Sequence, residues 1–280
     1  MSINHKSIFL KVKEYNGNPI DEYNKISSFL NKKCYYNYSI YSLLNDNFQC
    51  STLLRINYID FDNCLNSVIK NLDVYADSDF SYLEEGTQEI LLDDFLTYCE
   101  LITHIYFVTY NNYIKRIWDD THFDKNIYIQ LIDLIKASLK SMNHDIKMID
   151  DDTSEVLAIK CNPEAESVAE QSPTSLKEAI IYYLGSRDND LEEKENRLHK
   201  IIDLLEPILK KYKELDAVKK VEEYVQLIRH SELKKNEEHY KWFFENKGDY
   251  IDDIFMMCIF VKEYEITKTN IKKFESLKKE

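Results

Sequence analysis

The run Ile90-Leu91-Leu92-Asp93-Asp94-Phe95-Leu96-Thr97-Tyr98-Cys99-Glu100-Leu101-Ile102-Thr103-His104-Ile105-Tyr106-Phe107-Val108 carries apolar side chains at 90, 91, 95, 96, 99, 102, 107 and 108. That recurrence is the three-and-four spacing of a helix, and polar residues between the apolar ones break any strand alternation. Glu85-Gly86 precedes the run. We read one buried helix ending near Arg116, the spine of the first half of the chain. Upstream, Phe61, Cys64, Leu65, Val68 and Ile69 share one face of a helix from about Asp60 to Leu72. Before that, Gly17-Asn18-Pro19 is a turn signal leading into Ile20, Tyr23, Ile26, Phe29 and Leu30 at helical spacing. The aromatic-rich stretch from Cys34 to Phe48 fits helix or strand. Downstream, Asp124 reads as an N-cap, followed by Ile127, Ile129, Leu131, Ile132, Leu134, Ile135 and Leu139 in a further helix.

Composition agrees with this helical reading. Gly and Pro together number 8 in 280 residues, against about 12% in ordinary chains, which disfavours turn-dense sandwiches, barrels and glycine-lined nucleotide folds. With 44% apolar residues the chain has ample material for a core. The six cysteines, at 34, 50, 64, 99, 161 and 258, form no CxxC pair and read as reduced, mostly buried thiols. The most apolar span, Phe95 to Ile114, contains Glu100 and His104, and the N-terminus opens on a charged stretch. Neither a membrane span nor a secretion signal is expected, and the expected location is the bacterial cytoplasm.

A change of pattern follows His144. Ile146, Met148 and Ile149 precede Asp150-Asp151-Asp152-Thr153-Ser154, and Val156, Leu157 and Ile159 follow, which predicts a small β-hairpin near residues 145–160. A short helix through Val168 and Ala169 then meets the breaker Ser172-Pro173-Thr174. After Pro173 an α-bundle is predicted: a helix through Leu176 to Leu184 stopping at Gly185, and a long one from Asp190 that Pro207 should kink. Another opens at Asp216, and a last one runs from Ile251 to Tyr264. The expected organisation is a helical, acidic, Tyr-rich domain over 1–143, a hairpin and linker over 144–172, and a helical bundle over 173–280.

Net charge is −14, and its distribution matters more than its sum. No Lys or Arg occurs between Asn71 and Ile114, while Asp73, Asp77, Asp79, Glu84, Glu85, Glu89, Asp93, Asp94 and Glu100 make that stretch acidic. Such a surface repels phosphate backbones. It reads as a solvated acidic face, and Asp93 and Asp94, about 100° apart on a helix, make no ready metal pair. The tail from Ile266 to Glu280 has five Lys against two Glu, so any nucleic acid is expected at the C-terminal half.

From about Ser138 to Tyr264 the order of parts resembles the C-terminal HEPN-like helical domain of bacterial abortive-infection proteins. The resemblance is carried by Ser141-Met142-Asn143-His144, Val156-Leu157-Ala158-Ile159-Lys160-Cys161-Asn162-Pro163 and Ala165-Glu166-Ser167-Val168-Ala169-Glu170. It continues through Leu176-Lys177-Glu178-Ala179-Ile180-Ile181-Tyr182-Tyr183-Leu184 and His199-Lys200-Ile201-Ile202-Asp203-Leu204-Leu205-Glu206-Pro207. It closes on Leu227-Ile228-Arg229-His230-Ser231-Glu232, with Trp242 and Asp252-Asp253 beyond. The family implies a HEPN-like bundle, a homodimer, a role in prokaryotic antiviral defence or toxin–antitoxin systems, and for many members metal-independent ribonuclease activity. Its catalytic motif is an Arg, four to six residues, then a His. Here the His after Arg229 is adjacent and the next is His239, so the spacing departs from the motif.

Arg229 and His230 are nevertheless the candidate catalytic pair, an Arg to neutralise the scissile phosphate and an imidazole to move the proton of a ribose hydroxyl. Their structural alternative is a loop tie and a helix C-cap. Lys234, Lys235 and His239 are the candidate RNA contacts. His239 with Tyr240 and Trp242 could stack a base or simply pack. Arg197 and His199 point about 200° apart on one helix and read as exposed. Arg116-Ile117-Trp118-Asp119-Asp120-Thr121-His122 has the motif spacing but lies outside the resembling region. With 5 Arg and 7 His in the chain a single such match is within chance. No P-loop, GxSxG, HExxH or EF-hand pattern occurs, and no cofactor or metal is expected. The alternative function is a non-catalytic interaction protein that binds a phage or toxin protein through its acidic, Tyr-rich first half.

Overall fold

The computed structural model describes residues 17–230 and 238–277. The fold is mainly α-helical, with two small antiparallel hairpins among the described residues. It divides into two units, Met1–Cys161 and Asn162–Glu280.

In the first unit, Asn18 caps α1 (Pro19–Leu30) by accepting from the Ile20 and Asp21 N–H groups, with Pro19 at the first helical position. Lys33–Tyr35 (β1) and Tyr38–Ser39 (β2) form the first hairpin, and α2 (Ile40–Asn47) follows from a Ser39 cap. The ambiguous stretch from Cys34 to Phe48 is thus strand and then helix. Asp60 caps α3 (Phe61–Val74), and α4 (Glu85–Thr109) is the expected spine, packed against α1, α2 and α3. A π-turn, Tyr110–Ile114, and α5 (Lys115–Ile117) continue it, and α6 (Lys125–Ser141) starts from the Asp124 cap. Single-turn π segments often mark functional sites.

The predicted hairpin is β3 (His144–Asp150) paired with β4 (Glu155–Lys160), in the register His144 to Lys160 and Ile146 to Ala158. It packs on α6 and α4, and the Ala158 N–H donates to Glu100 at 2.7 Å. Ala158 belongs to the same apolar core as Leu91, Phe95, Tyr98 and Leu131. The hairpin is therefore part of the first unit, and the boundary falls after Cys161 instead of isolating 144–172 as a linker. Hydrophobic burial against α4 and α6 outweighs the turn signal at Ser172-Pro173. Several acids expected to be solvated are also internal partners: Asp73 accepts from the Tyr23 hydroxyl at 2.5 Å and Asp94 from the Asn71 amide at 2.8 Å.

Gly17 sits where a side chain has no room. A Cβ there would strike Ser141 Oγ and lie 2.8 Å from Met142 Cγ and 3.2 Å from the Ser141 carbonyl carbon. Gly17→Ala is expected to cost about 1–3 kcal/mol through overpacking, read as a lowered urea midpoint with an unchanged slope; no change would mean the α6 terminus yields freely.

The second unit is a bundle. Asn162 caps α7 (Pro163–Glu170); α8 (Thr174–Leu184) ends at Gly185; Asp190 caps α9 (Leu191–Lys211). Pro207 lies inside α9, whose helical run continues unbroken to Lys211. Then come α10 (Asp216–His230), α11 (Glu238–Glu245) and α12 (Lys247–Leu277). Leu198, Ile201, Leu205, Val221, Tyr224, Ile254, Phe255 and Cys258 are buried between these helices. The last helix runs 13 residues past the expected end at Tyr264, because no Gly or Pro interrupts its second half and Lys and Glu there favour helix. All six cysteines lie among the described residues and none is in a disulfide.

Candidate functional site

Arg229 and His230, expected at a turn, are the last two residues of α10, within the helix. His239 is the second residue of α11. The side chains of these three residues, and Lys234 and Lys235 altogether, lie outside the described residues.

In the second unit, two groups resolve as architecture. Arg197, expected to be exposed, donates to the Tyr182 carbonyl, to Ser186 Oγ at 3.3 Å and to Glu193 at 2.5 Å, tying the end of α8 to α9. Lys194 is 4% exposed at its side chain and pairs with Asp252 at 2.7 Å and Asp188 at 3.1 Å. Asp252 also accepts from the Tyr183 hydroxyl at 2.7 Å. A lysine this enclosed needs both carboxylates, since an uncompensated buried charge is costly.

Within the first unit a serine and a histidine meet in the core. His104 on α4 is 2.8 Å from Ser51 Oγ through Nε2 and 2.8 Å from the Ser154 carbonyl through Nδ1. A carbonyl only accepts, so Nδ1 carries the proton and Nε2 accepts from the serine hydroxyl. Burial holds the imidazole below its usual pKa and keeps it neutral. Ser51 and His104 are 1% and 6% exposed, so this nucleophile–base geometry is closed to any substrate. It locks the β3–β4 turn, where Ser154 has the left-handed φ of 58°, to α4.

The open counterpart lies on the turn between α5 and α6. His122 Nδ1 is 3.0 Å from Asp120 Oδ1, which also accepts the His122 backbone N–H at 2.9 Å. The other carboxylate oxygen accepts from the Tyr35 hydroxyl at 3.2 Å. These His122 bonds hold Asp120 below the ordinary carboxylate range. Tyr36 stacks on the imidazole with centroids 4.4 Å apart and planes 14° from parallel. Both side chains are largely exposed, 58% for each.

Two backbone links bring Tyr36 there. Tyr35 bridges to Phe123, and the Asp124 N–H donates to the Cys34 carbonyl at 2.7 Å. Tyr36 itself is held at φ 47°, a strained conformation for a bulky residue that the surroundings must enforce. Trp118, Tyr113 and Phe123 form the aromatic base beneath Tyr35. Arg116 and Lys115 are exposed on α5 and make no ion pair among the described residues, while Lys125 pairs with Asp119 at 3.0 Å over the Trp118 ring.

Chemically, this is an imidazole fixed at one nitrogen by a carboxylate, its other nitrogen bonded to no described residue, beside a stacking ring. The Asp-x-His spacing was the one local signal for it; the stack with Tyr36, 86 residues away, had none. Among the described residues no group of three or more His, Cys, Asp or Glu could hold a metal ion, and no helix is long and apolar enough to cross a membrane. Comparison of the chain with protein-family models, with curated proteins and with solved structures found no match.

Proposed function

We propose that the chain is a prokaryotic antiviral-defence protein of the abortive-infection type that acts on single-stranded RNA in the cytoplasm, with the Asp120–His122–Tyr36 turn as its RNA site. The observation that carries the RNA reading is the exposed His122 imidazole, held by Asp120 and stacked on Tyr36. A base stacks on an aromatic face whatever its identity, and Arg116 and Lys115 supply cations for the phosphates. His122 Nε2 takes the 2′-hydroxyl proton, the 2′-oxygen attacks phosphorus, the bond to the 5′-oxygen of the next nucleotide breaks, and that oxygen leaves as a hydroxyl with a proton from water. The defence role rests on the resemblance carried by residues 138–264. By that resemblance Arg229 and His230 are a second candidate for RNA contact, with Lys234, Lys235 and His239 as the further basic and stacking residues that follow them in sequence.

The test is induced expression in a bacterial host, following growth and total RNA integrity at matched soluble protein. Wild type is expected to arrest growth with broken RNA, and His122→Ala to spare both. Protection by Arg229→Ala/His230→Ala alone would move the site to α10, and intact RNA with wild type would overturn the nuclease reading.

A second reading, a non-catalytic regulator binding a phage or toxin protein, is favoured by Ile56 and Ile59. They are 81% and 84% exposed on a loop pinned by Gln49 to the Ile59 carbonyl and by Arg55 to the Gln49 carbonyl. On this reading Ile56→Ser/Ile59→Ser relieves growth arrest while RNA stays intact throughout.

A further inference from the structure

A line of hydrogen bonds runs from the β3–β4 turn through the buried His104 to the loop that carries Ile56 and Ile59. The ring donates through Nδ1 to the Ser154 carbonyl and accepts at Nε2 from the Ser51 hydroxyl, both at 2.8 Å. Ser51 Oγ in turn accepts the Leu54 N–H at 3.2 Å. The Leu54 carbonyl then takes the Asn57 and Tyr58 N–H groups at 3.1 and 3.0 Å. Each member sets the next, because only a neutral ring with its proton on Nδ1 lets the serine donate to Nε2 while its oxygen holds the Leu54 N–H. The exposed Ile56 and Ile59 therefore depend on a titratable group in the core.

We propose that this line is a proton-operated latch: protonation of His104 releases the loop from Leu54 to Ile59 and changes how the two isoleucines are displayed. A protonated imidazole has no acceptor nitrogen. Nε2–H then points at Ser51 Oγ and competes with the Leu54 N–H for it, while the serine proton is left in the core without an acceptor. The bond to Ser154 survives, so the mismatch falls on the Ser51 side alone. Among the described residues Glu155 on β4 is the charged group that acts on the ring, and it makes no ion pair with it; Glu100, one turn earlier on α4, accepts the Ala158 N–H. A buried cation without a bonded partner needs water, and water needs an opening. The cover yields at 51–59, where no helix exceeds one turn, whereas α4 runs for 25 residues and β3 is paired along β4. Burial outweighs the pull of the Ser154 carbonyl and Glu155 and keeps the latch shut near neutrality. The latch stands on these bonds; that the released loop is one a protein partner binds rests on the second reading.

Amide hydrogen exchange of the full chain tests it, read at Leu54 and, as an internal reference, at Ile102, which is buried in the middle of α4. The comparison spans about pH 7.5 to about pH 5, either side of the ordinary imidazole value, with the intrinsic effect of pH on exchange removed. Leu54 of wild type is expected to lose protection about tenfold or more, since each pH unit past the folded pKa multiplies the protonated-to-neutral ratio by about ten. Ile102 is expected to stay protected, as a local opening requires. His104→Gln keeps a donor and an acceptor without titrating and is expected to abolish the change. Ser51→Ala covers the case of a glutamine variant that misfolds: without the acceptor of its N–H, Leu54 is expected to be unprotected at both pH values. Leu54 protection that ignores pH in wild type, falls equally in His104→Gln, falls only together with Ile102, or survives Ser51→Ala overturns the latch. Failure of the second reading shows elsewhere, as growth arrest that Ile56→Ser/Ile59→Ser leaves unchanged.

Discussion

Replacing His104 by alanine is expected to destabilise the first unit by about 3–5 kcal/mol, measured by urea unfolding. Two terms add. The Ser51 hydroxyl and the Ser154 carbonyl lose their partner while buried, which costs about 1–3 kcal/mol for each group left unsatisfied. A cavity also opens beside α4. The same residue gives a pH dependence with a definite sign. Burial lowers the folded pKa of His104 below its value of 6.5, against the smaller opposing pull of the Ser154 carbonyl and Glu155. The unfolded chain therefore binds the proton more readily. The contribution is fully present above about pH 6.5 and is lost as pH falls below it. The slope should be larger in wild type than in His104→Gln, and equal slopes would mean that the imidazole stays solvated.

The second large effect is an asymmetry around Lys194. Asp252→Ala leaves an enclosed ammonium with only Asp188 and removes the acceptor of the Tyr183 hydroxyl. Its cost is expected at about 2–3 kcal/mol, below the usual 3–5 for a buried pair because the Asp252 side chain is 45% exposed. Lys194→Met removes the buried charge itself and leaves Asp252 hydrated and bonded to Tyr183, so it should cost about 1 kcal/mol or less. The double variant should be more stable than Asp252→Ala alone. Thermal melts of the three proteins check the order, and a larger loss in Lys194→Met would show that the pair itself, and not relief of a stranded charge, sets the energy.

What could be read from sequence was what is local. The periodicity of Leu91, Phe95, Cys99 and Ile102 marked α4, and the expected helix starts at Asp60, at the Asp124 cap and at Asp190 fall within a residue of the observed ones. The β-branched runs around Asp150 to Ser154 gave the hairpin. Tertiary partnerships were not legible. Tyr35, a strand residue through its local pairing with Tyr38, also bridges to Phe123, and the hairpin joins the first unit where Glu100 binds its Ala158 N–H. His104 read as a polar interruption of an apolar helix; its meaning depends on Ser51 and Ser154, each about 50 residues away. At the candidate site the spacing of Arg116 and His122 was visible, yet only the fold supplies Tyr36 and the Tyr35 hydroxyl that make the turn a site.

The most direct measurement incubates the purified chain with 5′-labelled single-stranded RNA and compares wild type with His122→Ala and Tyr36→Ala, each verified as folded. The account predicts cleavage leaving 2′,3′-cyclic phosphate ends, abolished in His122→Ala and slowed with weaker binding in Tyr36→Ala. RNA left intact by wild type, or cut equally well by His122→Ala, would contradict it.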